Sequence, residues 1–217
     1  MIINDLGSTN SLITHYVNEL RDWQIQKNSL GFRNNLVRLG EIFAYEISKT
    51  LEYEPTTIIT DLGEKPSYKI KRKPLLATIL RAGIPLHMGL LNYFDSSDSA
   101  FVSAYRQHDA NEDITINVEY VSCPKFSETV LILSDTMLAT GKSLVQSYKS
   151  ILESGTPYYT HFVAVLASTE GIDYLKKVMY KKKCTLWVAA IDDELTAQGY
   201  IVPGLGDAGD LAFGNKF

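Results

Sequence analysis

The sequence predicts an α/β fold, a parallel sheet flanked by helices. Short, continuously apolar runs such as Leu75-Leu-Ala-Thr-Ile-Leu80, Thr129-Val-Leu-Ile-Leu-Ser134 and Leu186-Trp-Val-Ala-Ala-Ile191 have the length of strands buried on both faces. Amphipathic stretches alternate with them, which places helices between parallel strands. The length, 217 residues, fits one large domain at roughly 150 residues per domain.

The elements follow in order. Ser11 is placed to cap a helix whose apolar residues Leu12, Ile13, Tyr16, Val17 and Leu20 share a face. A longer helix is expected over 32–51, with Phe32, Leu36, Leu39, Phe43, Ile47 and Leu51 as its stripe. Thr56-Thr-Ile-Ile-Thr60 and Tyr68-Lys-Ile-Lys71 read as the strands of a small hairpin around Asp61-Leu-Gly63. Residues 75–80 form a buried strand and 84–94 a helix. Further strands are expected at 100–105, 114–121, 129–134, 161–166 and 186–191, with helices over 142–154 and 171–181. Beyond Ile191 the chain is glycine-rich and irregular.

Composition removes several function classes. Lys and Arg total 21 against 25 Asp and Glu, a net charge of −4, whereas a nucleic-acid coat needs a positive excess. A hydrophobic content of 45%, with 13 Tyr and 8 Phe, is enough for a core and excludes disorder as the dominant state. The N-terminus, MIINDLGSTN, has neither the basic start nor the apolar stretch of a signal peptide. The longest apolar runs, such as 162–167, fall short of the about 20 residues of a membrane span. Cys123 and Cys184 read as reduced thiols of a cytoplasmic protein, the alternative being one bridge between them. His15, His87, His108 and His161 lack metal-ligand spacing. The basic runs Lys69-Ile-Lys-Arg-Lys73 and Lys181-Lys-Lys183 read as solvated surface, and Glu170 as a helix cap.

Ligands of such sheets bind beyond the carboxyl ends of the strands. There the sequence places Asp135-Thr-Met-Leu-Ala-Thr140-Gly141-Lys142-Ser143, an acid at a strand end followed by a small-residue turn opening a helix. The amides of residues 139–143, with the hydroxyls of Thr140 and Ser143, form a cradle of donors for a phosphate. Asp135 repels phosphate and suits sugar hydroxyls or Mg²⁺. A P-loop needs glycine where this chain has Thr136, so that motif is absent. Arg81 in Leu80-Arg-Ala-Gly83 and Arg106 after Tyr105 add two guanidinium forks at strand ends. Lys142 has two readings, a contact to the phosphate or a solvent-facing cation.

The tail, Gly199-Tyr-Ile-Val-Pro203-Gly204-Leu-Gly206-Asp207-Ala208-Gly209-Asp210, interleaves four glycines with apolar side chains that favour docking onto the body. Its backbone offers donor, acceptor and donor to a flat ligand. The imide edge of uracil is the complement, and cytosine would leave buried groups unpaired.

Together these four segments resemble the uracil phosphoribosyltransferases, from about Phe32 to Phe217. The resemblance implies a type I phosphoribosyltransferase-like fold in a single domain over 1–217. Its parts are N-terminal helices (1–55), a β-hairpin arm (56–74), an α/β core (75–191) and a base-binding C-terminal segment (192–217). It implies that Asp135, Thr136, Met137, Leu138, Ala139, Thr140, Gly141, Lys142 and Ser143 hold phosphoribosyl diphosphate (PRPP), with Arg81, Arg106 and Asp207. Ile201, Gly206, Asp207 and Ala208 would hold uracil, and Asp135, Asp207 and Arg106 would serve catalysis. Mg²⁺ would come through the diphosphate rather than through protein ligands. The implied reaction is uracil and PRPP to UMP and diphosphate, in a cytoplasmic dimer or tetramer without nucleic-acid or membrane partners. Two positions depart from the pattern: Thr136 stands for a proline and Lys142 for a small residue. These departures keep open a second reading, a sensor of PRPP or uracil nucleotides without turnover.

Overall fold

The computed structural model describes residues 1–108 and 114–215, with side chains described outside 105–117. Seven strands form one sheet: β1 (Ile2–Asp5), β4 (Leu75–Leu80), β5 (Ser99–His108), β6 (Ile114–Ser122), β7 (Phe126–Leu138), β8 (Gly155–Ser168) and β9 (Cys184–Asp192). Their spatial order is β1-β9-β8-β7-β4-β5-β6. Neighbours run parallel except β5 and β6, so the expected parallel sheet ends in an antiparallel edge. The hairpin arm is β2 (Tyr53–Thr60) with β3 (Gly63–Ile70), paired over their full lengths.

Each sheet face builds its own core, because successive strand residues point to opposite sides. On one face Ile132, Val163, Val165 and Trp187 pack under α1 (Leu12–Arg21), α2 (Ser29–Ser48) and α3 (Ile84–Tyr93). On the other, Leu131, Leu133, Phe162 and Ala164 pack under α4 (Lys142–Leu152) and α5 (Thr169–Val178). Ser11 caps α1 through the amide of Ile13. Ser168, not Glu170, caps α5, accepting from the amide of Gly171, while Glu170 sits in the first turn.

Three differences from the sequence reading bear on function. The N-terminal Ile2–Asp5 is a strand, legible only through its parallel partner β9. Strand β7 does not end at Ser134 but runs on to Leu138, still laddered to β8 at Asp135, Met137 and Leu138. The tail beyond Ile191 is ordered as β10 (Glu194–Leu195), β11 (Ile201–Val202) and a short helix, α6 (Ala208–Phe213). Cys123 and Cys184 are free thiols. Among the described residues no helix is long and apolar enough to cross a membrane.

Two buried histidines tie this fold to pH. Burial pushes the pKa of both His87 and His161 down to about 4. Trp187 donates its indole Nε1–H to His161 Nδ1 at 3.1 Å, which leaves the neutral ring's proton on Nε2. With folded pKa values below the unfolded value, both groups contribute stability that is present above about pH 6.5 and lost as pH falls toward 4. At pH 5 the loss is about 2 kcal/mol for each. Denaturant titrations at pH 8 and pH 5 should therefore show a smaller pH-dependent loss in His161→Gln than in the unaltered protein.

Candidate functional site

The ends of β4, β5 and β7 open into a cleft of about 490 Å³. Asp135, Thr136, Met137, Ala139 and Ser143 line one side, and Ile201, Gly206, Asp207 and Ala208 line the other. The phosphate-cradle motif and the tail motif, distant in sequence, thus share one cavity.

The cradle side is built by the end of β7. The strand carries the chain to Leu138, whose side chain is 1% exposed and belongs to the core beneath α4 and α5 rather than to the cleft. Residues 139–141 turn, and Gly141 adopts φ +75°, a left-handed conformation that costs other residues a Cβ clash. Gly141 is the N-cap of α4, and no side chain caps that end. Among the described residues no side chain accepts from the first amides of the helix, an arrangement that can receive an anion. The turn is held from behind: Ser168 Oγ donates to the carbonyl of Ala139 at 2.5 Å. A Cβ on Gly171 would meet that same carbonyl at 2.2 Å, so α5 packs directly on the turn. Thr140, Gly141 and Lys142 do not line the cleft, and Lys142 is exposed.

Asp135 is half-buried, and its Oδ1 accepts from the amide of Thr136 at 2.7 Å. A proline at 136 has no N–H to give. The departure at Thr136 therefore supplies a bond that fixes the Asp135 carboxylate.

Arg81 is placed differently from the expectation. Its Nη2 pairs with Asp210 Oδ1 at 2.7 Å and donates to the Gly214 carbonyl at 2.9 Å. Its Nε is buried without a partner among the described residues. Arg81 thus ties β4 to α6 and is not among the cleft-lining residues. The side chain of Arg106 lies outside the described residues.

The opposite wall is glycine-rich backbone. Gly199, Gly204 and Gly206 all have positive φ, at +76°, +58° and +91°. Asp207 is the N-cap of α6, its Oδ1 accepting from the amide of Asp210 at 3.0 Å. Arg33 of α2 donates to the Ala212 carbonyl at 2.6 Å and lies over the ring of Phe213. Arg21 and Asp192 hold Gly204. Sequence reasoning missed these three anchors, because each sits on an ordinary helix or strand with no local motif around it.

A second concavity of about 410 Å³ lies at the opposite end of the sheet, lined by Tyr158, Tyr159, His161 and Arg72 among others. There Arg72 and Lys183 lie 4.6 and 5.3 Å from the ring centre of Tyr158. The two basic runs, read as separate solvated surfaces, therefore converge on one tyrosine. No cluster of three metal-ligating side chains is found among the described residues.

The model of the uracil phosphoribosyltransferase family matches residues 7–215. The chain belongs to this family. A uracil phosphoribosyltransferase of Porphyromonas gingivalis is 47% identical over 216 residues, covering 100% of both chains. Another from Pyrococcus furiosus is 39% identical over 205 residues, covering 93% of this chain and 86% of its own. Among solved structures, the AQ2163 protein from Aquifex aeolicus superposes with a TM-score of 0.88 at 27% identity, covering 98% of each chain. For a uracil phosphoribosyltransferase-family chain, the joining of the strand-end turn to the tail in one cleft is the feature to test.

Gly141 is the most exacting position in the turn. An added Cβ would lie 3.0 Å from Tyr174 Cδ1 and 3.1 Å from the Gly171 carbonyl, at a φ that L side chains avoid. Gly141→Ala should lower unfolding free energy by about 1–2 kcal/mol in denaturant titration.

Proposed function

We propose that this chain transfers the phosphoribosyl group of PRPP to uracil, forming UMP and diphosphate. The observation that carries the reading is the single cleft lined by both Asp135–Ser143 positions and Ile201–Ala208 positions. The family relationship supports the same reaction.

The roles follow from the donors each wall offers. The amides at the start of α4 and the hydroxyl of Ser143 receive the 5′-phosphate. Asp135, aimed by the Thr136 amide, accepts from the ribose hydroxyls. The tail receives the base: Ile201 packs on its flat face, and the backbone of residues 206–208 meets its edge. Uracil N1 attacks C1′ of PRPP, the C1′–O bond to diphosphate breaks with its electron pair, and the N1 proton leaves to solvent. Arg106 and Arg81 are the cations for the departing diphosphate, Arg81 after exchanging its Asp210 contact. Positioning and neutralisation of developing charge supply the acceleration.

Mg²⁺ fits this cleft in one way. Among the described lining residues only Asp135 and Asp207 are carboxylates. One or two carboxylates beside substrate phosphates is the donor set that ion takes. When bound, it neutralises charge on the diphosphate. The reading also places the protein in the cytoplasm as a homo-oligomer, a dimer or tetramer. Exposed Trp23, Ile59, Leu62 and Tyr68 supply apolar surface for that assembly.

A magnesium-dependent assay with labelled uracil and PRPP should yield UMP and diphosphate in equal amounts. Tight UMP binding without turnover would instead establish the sensor reading. Asp207→Ala should lower kcat/KM about 10²-fold or more, and thermodynamic stability by about 1 kcal/mol through the lost cap. Asp207→Asn, which keeps the cap, separates the two effects: its stability stays near that of the unaltered protein while its rate falls. Lys142→Ala should leave the KM for PRPP unchanged, as expected of a solvent-facing cation; a raised KM would assign Lys142 to the phosphate.

A further inference from the structure

The base wall is partly fixed by Ile201, Leu205 and Ala208, which are buried in the core, but the glycines between them have no side chains with which to anchor. Gly204 lies at its middle, between Ile201 and the 206–208 segment that line the cleft. It is buried, has φ +58°, and an added Cβ would meet the Ile201 carbonyl at 2.1 Å. Only its backbone is available for anchoring.

Both backbone groups of Gly204 are taken by one ion pair. Its N–H donates to Asp192 Oδ2 at 3.0 Å. Its carbonyl accepts from Arg21 Nη1 at 3.1 Å. The same Arg21 and Asp192 form a two-pronged pair, Nη1 to Oδ2 at 2.8 Å and Nη2 to Oδ1 at 2.7 Å. The pair is enclosed, with side-chain exposures of 20% and 7%. Arg21 is the last residue of α1 and Asp192 the last of β9. A helix from the start of the chain and the final sheet strand are thereby joined through one residue of the tail.

We propose that Arg21 and Asp192 are positioning residues that set the affinity for uracil, by holding Gly204 and with it the spacing between Ile201 and residues 206–208. The assignment rests on the tail being the uracil wall. A buried ion pair adds little net stability, since its desolvation offsets its attraction. Its geometric effect is what remains. A guanidinium fork engages one carboxylate in one orientation, and selection of a base edge by backbone groups depends on placement within about 0.5 Å.

Three variants test this, Arg21→Lys, Asp192→Asn and the double variant, with kcat and KM measured separately for uracil and PRPP. Arg21→Lys keeps the charge but loses the fork. Asp192→Asn keeps an acceptor for Gly204 but loses the charge. The expected result is a KM for uracil raised about tenfold, equivalent to 1.4 kcal/mol, with the KM for PRPP unchanged. The double variant should be little worse than the worse single one, as for two residues acting together. Equal changes for both substrates, a fall in kcat alone, or no change would overturn the assignment. Should a variant fail to fold, amide exchange on the unaltered protein decides: the Gly204 amide should exchange as slowly as those of β9, and exchange at the rate of an open loop would overturn the clamp. An unaltered protein that makes no UMP refutes the proposed function. An active one whose Arg21→Lys form keeps its KM for uracil refutes only the positioning role.

Discussion

The tail wall buries Ile201, Leu205, Ala208 and Ala212 in the core, but the glycines between them have no side chains and must be held by their backbone. Everything about the candidate site depends on how that is done. Among the described residues, three arginines from the first half of the chain reach the C-terminal segment: Arg21 to Gly204, Arg33 to Ala212, and Arg81 to Asp210 and Gly214. They come from α1, α2 and the end of β4, so the segment is fastened to three separate elements. Asp207 adds an internal fastening by capping α6. The tail wall is therefore tied to three elements through its backbone, and Ile201, Leu205, Ala208 and Ala212 add buried packing of their own.

The facing wall uses a different device. Strand β7 carries rigid ladder structure to Leu138 before the turn begins, which brings Asp135 to the cleft on a strand instead of a loop. The turn itself is short and is clamped by Ser168 and Gly171 of the next unit. In the proposed function, anion affinity comes from these aligned amides and not from bulk charge; a chain of net charge −4 can hold a phosphate where the relevant charge is local.

Most of this architecture was legible in the sequence. Strand β4 was read with its observed limits, 75–80, because an unbroken apolar run has only one way to be covered on both faces. Helix α1 was found within one residue from its Ser11 cap and apolar stripe, and α5 within three residues although its cap was misplaced at Glu170. What was not legible has a common cause. Strand β1 is short and half-polar and becomes a strand only by pairing with β9. The reach of β7 past Ser134 is imposed by β8, since Asp-Thr-Met-Leu has no strand signature of its own. Of the cleft, nine motif residues were read and do line it, while Leu138 turned into the core and Arg81 toward α6. Arg21, Arg33 and Asp192 were missed because a long-range ion pair or a side chain on a distant carbonyl leaves no local pattern.

The central claim is that the β7 turn and the tail form one site for phosphate and base together. A crystal structure of the protein soaked with UMP tests it most directly. The account predicts the phosphate on the amides of residues 139–143 and the base against Ile201 and residues 206–208. UMP bound elsewhere, for example in the concavity at Tyr158 and His161, with the cleft empty, would contradict it.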